Sequence, residues 1–366
     1  MDNKIRSSSI SLMISSCNKC FFLGIYLSYI INVAKDQTIW ALLLGILFSI
    51  IPFALLIHLF NLDSDKSIIG KIKNNFSKPF YYVLSHILVL IILLIGIFLL
   101  WEVNSFIANE FLSEHPTLAI LVILCFPIMY LTLNNFQVLT RFNTICIAIA
   151  FVIALTNIFS LSPKFELANI GFDVTSKIPD LIKCALYYTV LSIGPCFMLL
   201  IHPKDKISDS KKFKKTMWYS YIYSIIISIG IFLAVLLSMD ANLLAKYTYP
   251  EFIVLKMINL FKFLDTIENV SALMWFNYMT VSISLCTIFI KNSIKEVYNV
   301  SSKKKDKIIS IIIVLTLFLS CFPFINYSYY LNIINIHIYP FIICLSLLII
   351  CLLIIVKIHI KNKKSV

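Results

Sequence analysis

The side chains best able to do chemistry sit together in the first apolar stretch: Ser15, Ser16, Cys17, Asn18, Lys19 and Cys20 are consecutive. Ile10, Leu12, Met13 and Ile14 precede them, and Phe21, Phe22, Leu23, Ile25, Tyr26 and Ile30 follow. A lone ammonium with hydroxyls and an amide is costly in hydrocarbon, and unwound backbone is tolerated there only beside a cavity or packed protein. The stretch is therefore expected to interrupt the first span and to bind a ligand. The competing reading puts Lys19 at the headgroups and starts the span at Phe21. That leaves residues 21–33 apolar, short of the ~20 a crossing needs. Lys19 has three candidate roles: pairing with a ligand carboxylate, standing in for a coupling cation, or forming a structural ion pair with an acidic residue such as Glu102. Glu102 itself, after Trp101, reads as a headgroup-level residue near the end of its span.

Other chemistries find less support. Cys17 and Cys20 have redox or zinc spacing, but zinc needs two further ligands and a thioredoxin motif needs a βαβ context. Cys125, Cys146, Cys184, Cys286, Cys344 and Cys351 lie in apolar segments and read as small hydrophobes. His58, His86, His202, His337 and His359 form no ligand cluster. His337 alone suits an intramembrane acyltransferase, the enzyme alternative. No phosphate loop, Ser–His–Asp spacing or nucleotide motif is present, so no cofactor is expected. A second interruption is expected at Ser192-Ile193-Gly194-Pro195-Cys196, where proline removes an amide from the helix ladder and glycine loosens the backbone. Asn277 and Ser282 are candidates to face the core, against the alternative of helix packing alone.

The elements that must position these residues are membrane spans. The 366 residues are 60% hydrophobic and 13% charged, about half the charge of an average soluble chain. Ten apolar segments, roughly 8–33, 38–60, 80–107, 116–133, 142–161, 181–201, 217–238, 267–290, 308–324 and 333–356, mostly reach the crossing length. Lys19 interrupts the first of them and no small-residue cleavage site follows, so no signal peptide is expected. Basic residues crowd every second connection: Lys4 and Arg6, Lys66 to Lys78, Arg141, Lys204 to Lys215, Lys291 to Lys307, and Lys357 to Lys364. The other connections hold only Lys35, Lys164, Lys177, Lys246, Lys256 and Lys262. By the positive-inside rule both termini are cytoplasmic, and the basic loops report topology rather than nucleic-acid binding. Residues 62–78 are expected to form a basic interfacial helix on the anionic leaflet. Residues 240–266, entered at Tyr249-Pro250-Glu251, read either as an amphipathic external helix across an outer vestibule or as an interfacial linker.

Five spans per half is an odd number, so related halves would insert with opposite orientation. The expected fold is an all-α polytopic membrane protein: ten transmembrane helices as two inverted five-helix repeats, with helices 1 and 6 broken. Residues 5–161 would form the first repeat, 181–356 the second and 357–366 a cytoplasmic tail, all within one membrane domain. Free helix ends at the two breaks would offer amides and carbonyls to a small zwitterion.

Several stretches resemble one family in order and spacing. They are Ile5-Arg6-Ser7-Ser8, Ile14-Ser15-Ser16, the run from Val33 to Trp40, Leu112-Ser113 with Pro116-Thr117, the run from Asn135 to Asn143, Tyr249-Pro250, and the run from Phe263 to Asn269. The family is the spore germination permeases, the B subunit of nutrient germinant receptors, within the amino acid–polyamine–organocation transporter superfamily. The resemblance implies ten spans in two inverted repeats and partners in a larger membrane A subunit and a lipoprotein C subunit in the spore inner membrane. It further implies a small nutrient, such as an amino acid, bound between the breaks. The ligand-site candidates are then Ser15, Ser16, Cys17, Asn18, Lys19, Cys20, Ser192, Ile193, Gly194, Pro195 and Asn277. An active amino-acid or organocation permease is the alternative function. The chain departs from the family at Lys19, where relatives often carry the glycine of the first break. It departs again at Pro195, where they often carry an acid, and at Thr266, which replaces an arginine.

Overall fold

The computed structural model describes residues 4–112, 114–170, 178–258, 267–322, 351 and 354–360. The expected tenth span at 333–356, His337, and the run Phe263 to Thr266 lie wholly or largely outside these residues. The first span comprises α1 (Ser7–Phe21) and α2 (Leu27–Ala34), joined through an irregular segment; α3 (Thr38–Asn61), α4 (Ile68–Asn75), α5 (Lys78–Glu110), α6 (Thr117–Leu133) and α7 (Phe136–Leu161) follow. The second half opens with α8 (Ile178–Ile193), which tightens into a 3-10 segment, Gly194–Ile201. It continues with α9 (Phe213–Ser238), the short α10 (Ala241–Leu244) and α11 (Pro250–Lys256), then α12 (Ile267–Val297) and α13 (Lys303–Cys321). The breaks in the first and sixth spans thus stand five spans apart, at matching places in the two halves.

Length and burial sort these helices. At ~1.5 Å per residue the 33 residues of α5 overreach the hydrocarbon, while the 17 of α6 only just cross it. Every residue of α12 from Met279 to Lys291 is buried, as is every residue of the 3-10 segment, and α1 is buried along nearly its whole length. These elements form the bundle centre. By contrast α7 exposes Ile145, Ile149, Val152 and Phe159, a stripe at helical spacing that faces lipid.

The connections assemble into two faces. On the lysine-rich face the strand β1 (Ile5–Arg6) pairs in parallel with β2 (Ile207–Ser208). There Lys204 Nζ also donates to Asn61 Oδ1 at 2.6 Å, Ser67 bonds Glu296, Lys295 pairs with Asp306 at 2.8 Å, and Phe76 stacks on His359. On the lysine-poor face the Glu166 amide bonds the Leu237 carbonyl at 2.9 Å, and Lys256 pairs with Glu110 at 3.1 Å. Among these contacts, Ile5 with Ile207, Asn61 with Lys204 and Ser67 with Glu296 join connections that the lysine pattern also puts on one face.

Two connections differ from expectation. Residues 62–78 do contain a helix, but α4 turns Ile68, Ile69 and Ile72 into the protein instead of onto lipid. Lys71 is buried with them and donates to the Leu59 carbonyl at 2.6 Å, closing the last turn of α3. Burial lowers its pKa to about 8. Within 240–266, two short helices replace the single amphipathic one, and the end of the segment lies outside the described residues. Cysteines introduced singly at Ser210 and Ser301, in a cysteine-depleted background, should label from the same side of a sealed vesicle, and those at Ser162 and Asn242 from the other. Labelling of Ser210 and Ser301 from opposite sides would remove the ten-span topology.

Candidate functional site

The first span is interrupted later than its polar stretch suggests. Ser15 to Cys20 are regular α-helix, and the backbone leaves the helix at Leu23 (φ −78°, ψ 140°) and Gly24 (φ 76°, ψ −39°). The polar side chains find partners on neighbouring helices, so the backbone has no need to unwind for them. Unwinding falls instead on the one residue nearby that tolerates positive φ without a Cβ penalty. Space enforces the same choice, since a Cβ on Gly24 would meet the Trp275 ring at 2.7 Å. The break therefore falls on a glycine, Gly24, five residues beyond Lys19. Gly24 is one of only seven glycines in the chain and sits inside the first apolar run; that scarcity was the available signal.

An amide released from a helix inside a membrane must be paired. The Gly24 amide donates to Glu251 Oε1 of α11 at 2.5 Å. Around this contact Phe106 packs edge-on against Trp275 at 4.5 Å, Tyr249 at 4.8 Å and Phe252 at 5.4 Å between ring centroids. Of the two readings of 240–266, the structure favours a helix closing over the bundle: α11 covers the broken span. It also covers Glu102, which is 3% exposed and faces Tyr249, not the headgroups. Burial raises the Glu251 carboxyl to about 7, with the amides of Glu251 and Gly24 opposing the shift.

Lys19 is 1% exposed and makes no ion pair with Glu102. Its ammonium donates to the Ser224 carbonyl at 2.8 Å and Ser228 Oγ at 2.7 Å, both on α9. The Phe22 ring lies 5.7 Å away. Ser228 Oγ donates in turn to Asn18 Oδ1 at 3.2 Å, and Ser16 hydrogen-bonds Asn143 of α7. Ser15 is buried without a described hydrogen bond of its side chain. The polar row thus ties α1 to α7 and α9 through uncharged partners.

Span six changes geometry where expected. The α-helix ends at Ile193 (φ −105°, ψ −31°) and Gly194 opens the 3-10 segment, with Pro195 in its first turn, where a missing amide costs nothing. Ser192 Oγ turns back to the Thr189 carbonyl at 3.3 Å. Spans one and six meet through sulfur and aromatic side chains: Cys17 faces Cys196 and Tyr26 packs on Tyr188 at 5.1 Å, while Cys286 Sγ of α12 lies 3.4 Å from Met198 Sδ in the 3-10 segment. Cys20 bonds the Cys17 carbonyl, so the CxxC spacing serves helix packing, and no group able to hold a metal occurs among the described residues. Asn277 is only half-buried, whereas Trp275 and Tyr278 on the same helix turn toward the break.

The close approach at Gly24 makes a prediction. Gly24→Ala should cost about 2 kcal/mol, roughly half from the left-handed backbone and the rest from displacing Trp275; in a Trp275→Ala background only the first half should remain. The comparison is Gly230→Ala on α9, where the new Cβ meets only a side-chain tip of Ile158 at 3.3 Å. Equal thermal stability losses at both glycines in detergent would contradict the strain assigned to Gly24.

No curated protein matches the chain. Its fold is similar to that of a Na+-coupled sialic acid symporter solved in a substrate-bound outward-open state: TM-score 0.68 at 12% identity, over 93% of this chain and 76% of that one. It is also similar to MhsT solved in complex with L-phenylalanine, with a TM-score of 0.59 at 13% identity over 87% and 80%. These likenesses establish the architecture of a polytopic all-α membrane protein with interrupted first and sixth spans. The family model described as spore germination protein matches residues 4–328, and the chain belongs to that spore germination family.

Proposed function

We propose that this chain is the nutrient-binding membrane subunit of a spore germinant receptor, holding a small amino-acid-like ligand between the breaks of spans one and six. The observation that carries the reading is the opened backbone at Leu23–Gly24 opposite the tightened turn at Gly194, in a chain of the spore germination family. The Gly24 amide is held by Glu251, so it is the other backbone groups at the two breaks that suit the charged ends of a zwitterion. Support comes also from the two structural neighbours, one solved with its substrate and the other with L-phenylalanine. In this reading the chain works in the spore inner membrane with its termini in the cytoplasm. A larger membrane A subunit and a lipoprotein C subunit are its partners, and no reaction is catalysed.

The Lys19 contacts favour one of its candidate roles. A backbone carbonyl and a serine hydroxyl are ligands of the kind an alkali cation takes, and here they hold an ammonium. Lys19 is then a covalently fixed charge where a coupled transporter binds a mobile one. A chain whose cation cannot leave is suited to report occupancy rather than to pump, which sets the receptor above the permease alternative.

Two measurements test this. Gly194→Leu should abolish nutrient binding while membrane insertion persists, because the branched side chain fills the turn a ligand must approach; an unchanged nutrient response in well-expressed protein would move the site elsewhere. For Lys19, proteoliposomes of wild-type chain should bind nutrient without gradient-driven uptake. Lys19→Met should lower detergent stability by about 3 kcal/mol, since two α9 acceptors lose a charged donor. Robust concentrative uptake by the wild type would replace the receptor reading with the permease.

A further inference from the structure

A cavity of about 100 Å³ opens between α7, α9, α11 and α12, beside the first-span break at Leu23. Its lining includes Leu23 of the first break but no residue of the span-six break. By the volume a buried water needs, it accommodates roughly seven to eight non-hydrogen atoms. Its wall is apolar over Ala150, Ile153, Ala154, Ile227, Ile231 and Leu255, and aromatic over Phe106, Phe252, Trp275 and Tyr278. Among the described residues, three buried polar atoms of lining residues have no hydrogen-bond partner: Glu251 Oε2, Asn157 Oδ1 and Trp275 Nε1. Each remaining partner position is taken. Glu251 Oε1 accepts the Gly24 amide, and Asn157 Nδ2 donates to Ser271 Oγ at 2.7 Å.

Leaving a buried acceptor unpaired costs about 1–3 kcal/mol, so the two acceptors on this cavity, Glu251 Oε2 and Asn157 Oδ1, call for an occupant that donates to them; Trp275 Nε1–H is itself a donor and is not one of its partners. One of the two acceptors is on a carboxyl group, and the surrounding rings present π faces that attract cations. The apolar wall opposite matches a hydrocarbon body. The geometry points to a binding site for a small organic ammonium ion with an apolar body, its ammonium held by Glu251 and Asn157. The site stands independently of whether the breaks of spans one and six hold a nutrient.

The carboxyl must be ionised for this task, and burial raises Glu251 to about 7. Glu102 and Glu110 of α5 add repulsion, and Lys256 of α11 offsets Glu110 by pairing with it. Tyr249 of α11 and Tyr278 of α12 also face this region, and α7 and α9 bring only Asn157 and apolar side chains to the cavity. Affinity for an ammonium ion should therefore fall as pH drops through about 7.

The test uses the full chain in nanodiscs and two probes of the same shape, 3-methylbutylammonium and neutral 3-methylbutan-1-ol, measured by calorimetry at pH 6 and pH 8. The ammonium ion should bind at least tenfold tighter than the alcohol at pH 8 and lose most of that advantage at pH 6. Glu251→Gln keeps a carbonyl for the Gly24 amide but removes the charge, so it should abolish both the preference and its pH dependence. Asn157→Leu, which leaves the Gly24 contact untouched, should weaken the ammonium ion about tenfold and carries the test if Glu251→Gln is unstable. Equal binding of alcohol and ammonium ion would mark a hydrophobic cavity filled by lipid, and unchanged preference in both variants would place the cation elsewhere; either outcome overturns the proposal.

Discussion

A chain that leaves the helix inside a bilayer must pair the amides it releases, because no water is there to do so. Here that requirement is met by one contact, the Gly24 amide on the Glu251 carboxyl. The acceptor belongs to α11, more than two hundred residues further along the chain. The broken span therefore cannot exist as drawn unless the connection between α9 and α12 folds back over it. The aromatic packing of Phe106, Tyr249, Phe252 and Trp275 is the apolar part of the same arrangement. One backbone irregularity thus links spans one, three and eight to a surface helix.

Lys19 meets a similar demand by other means. A buried ammonium needs acceptors, and the structure supplies a carbonyl and a hydroxyl rather than a carboxylate. The donors of the Lys19 amine are thus met by neutral oxygens, with no carboxylate in contact among the described residues. That amine stands beside the span whose irregular segment lies a turn further on. Its neighbours Asn18 and Ser16 are bonded to α9 and α7 in the same layer, so α1 is held on two sides by polar contacts. Polar contacts of this kind position helices where the bilayer offers no hydrophobic drive to bring them together.

The acidic residues divide along a related line. Glu110 at the end of α5 is paired with Lys256 across the lysine-poor face, a partly exposed bridge worth little in stability. Glu102 and Glu251, a short distance inward, are buried among aromatics. Burial among aromatic rings raises the cost of the Glu251 charge, a cost that the partly exposed Glu110 does not bear.

The sequence by itself determined the class, an all-α polytopic membrane protein, and predicted its spans and sidedness. Twenty-residue apolar runs admit little but helices in hydrocarbon, and the alternation of lysines is a property of the chain order alone. It also determined the second break, because Gly194-Pro195 destroys the helix ladder locally, whatever surrounds it. The first break was another matter. Lys19, Asn18 and Ser16 signalled polarity, yet whether polarity unwinds a helix depends on what faces it, and Ser224, Ser228 and Asn143 are distant in sequence. Gly24 carried the permissive backbone, but glycine alone does not announce a break. Trp275 had to close against it and Glu251 had to reach its amide before the irregular turn became the stable one. Only the tertiary structure decided that, because it is the packing of three distant segments that makes positive φ at one residue the lowest-cost solution.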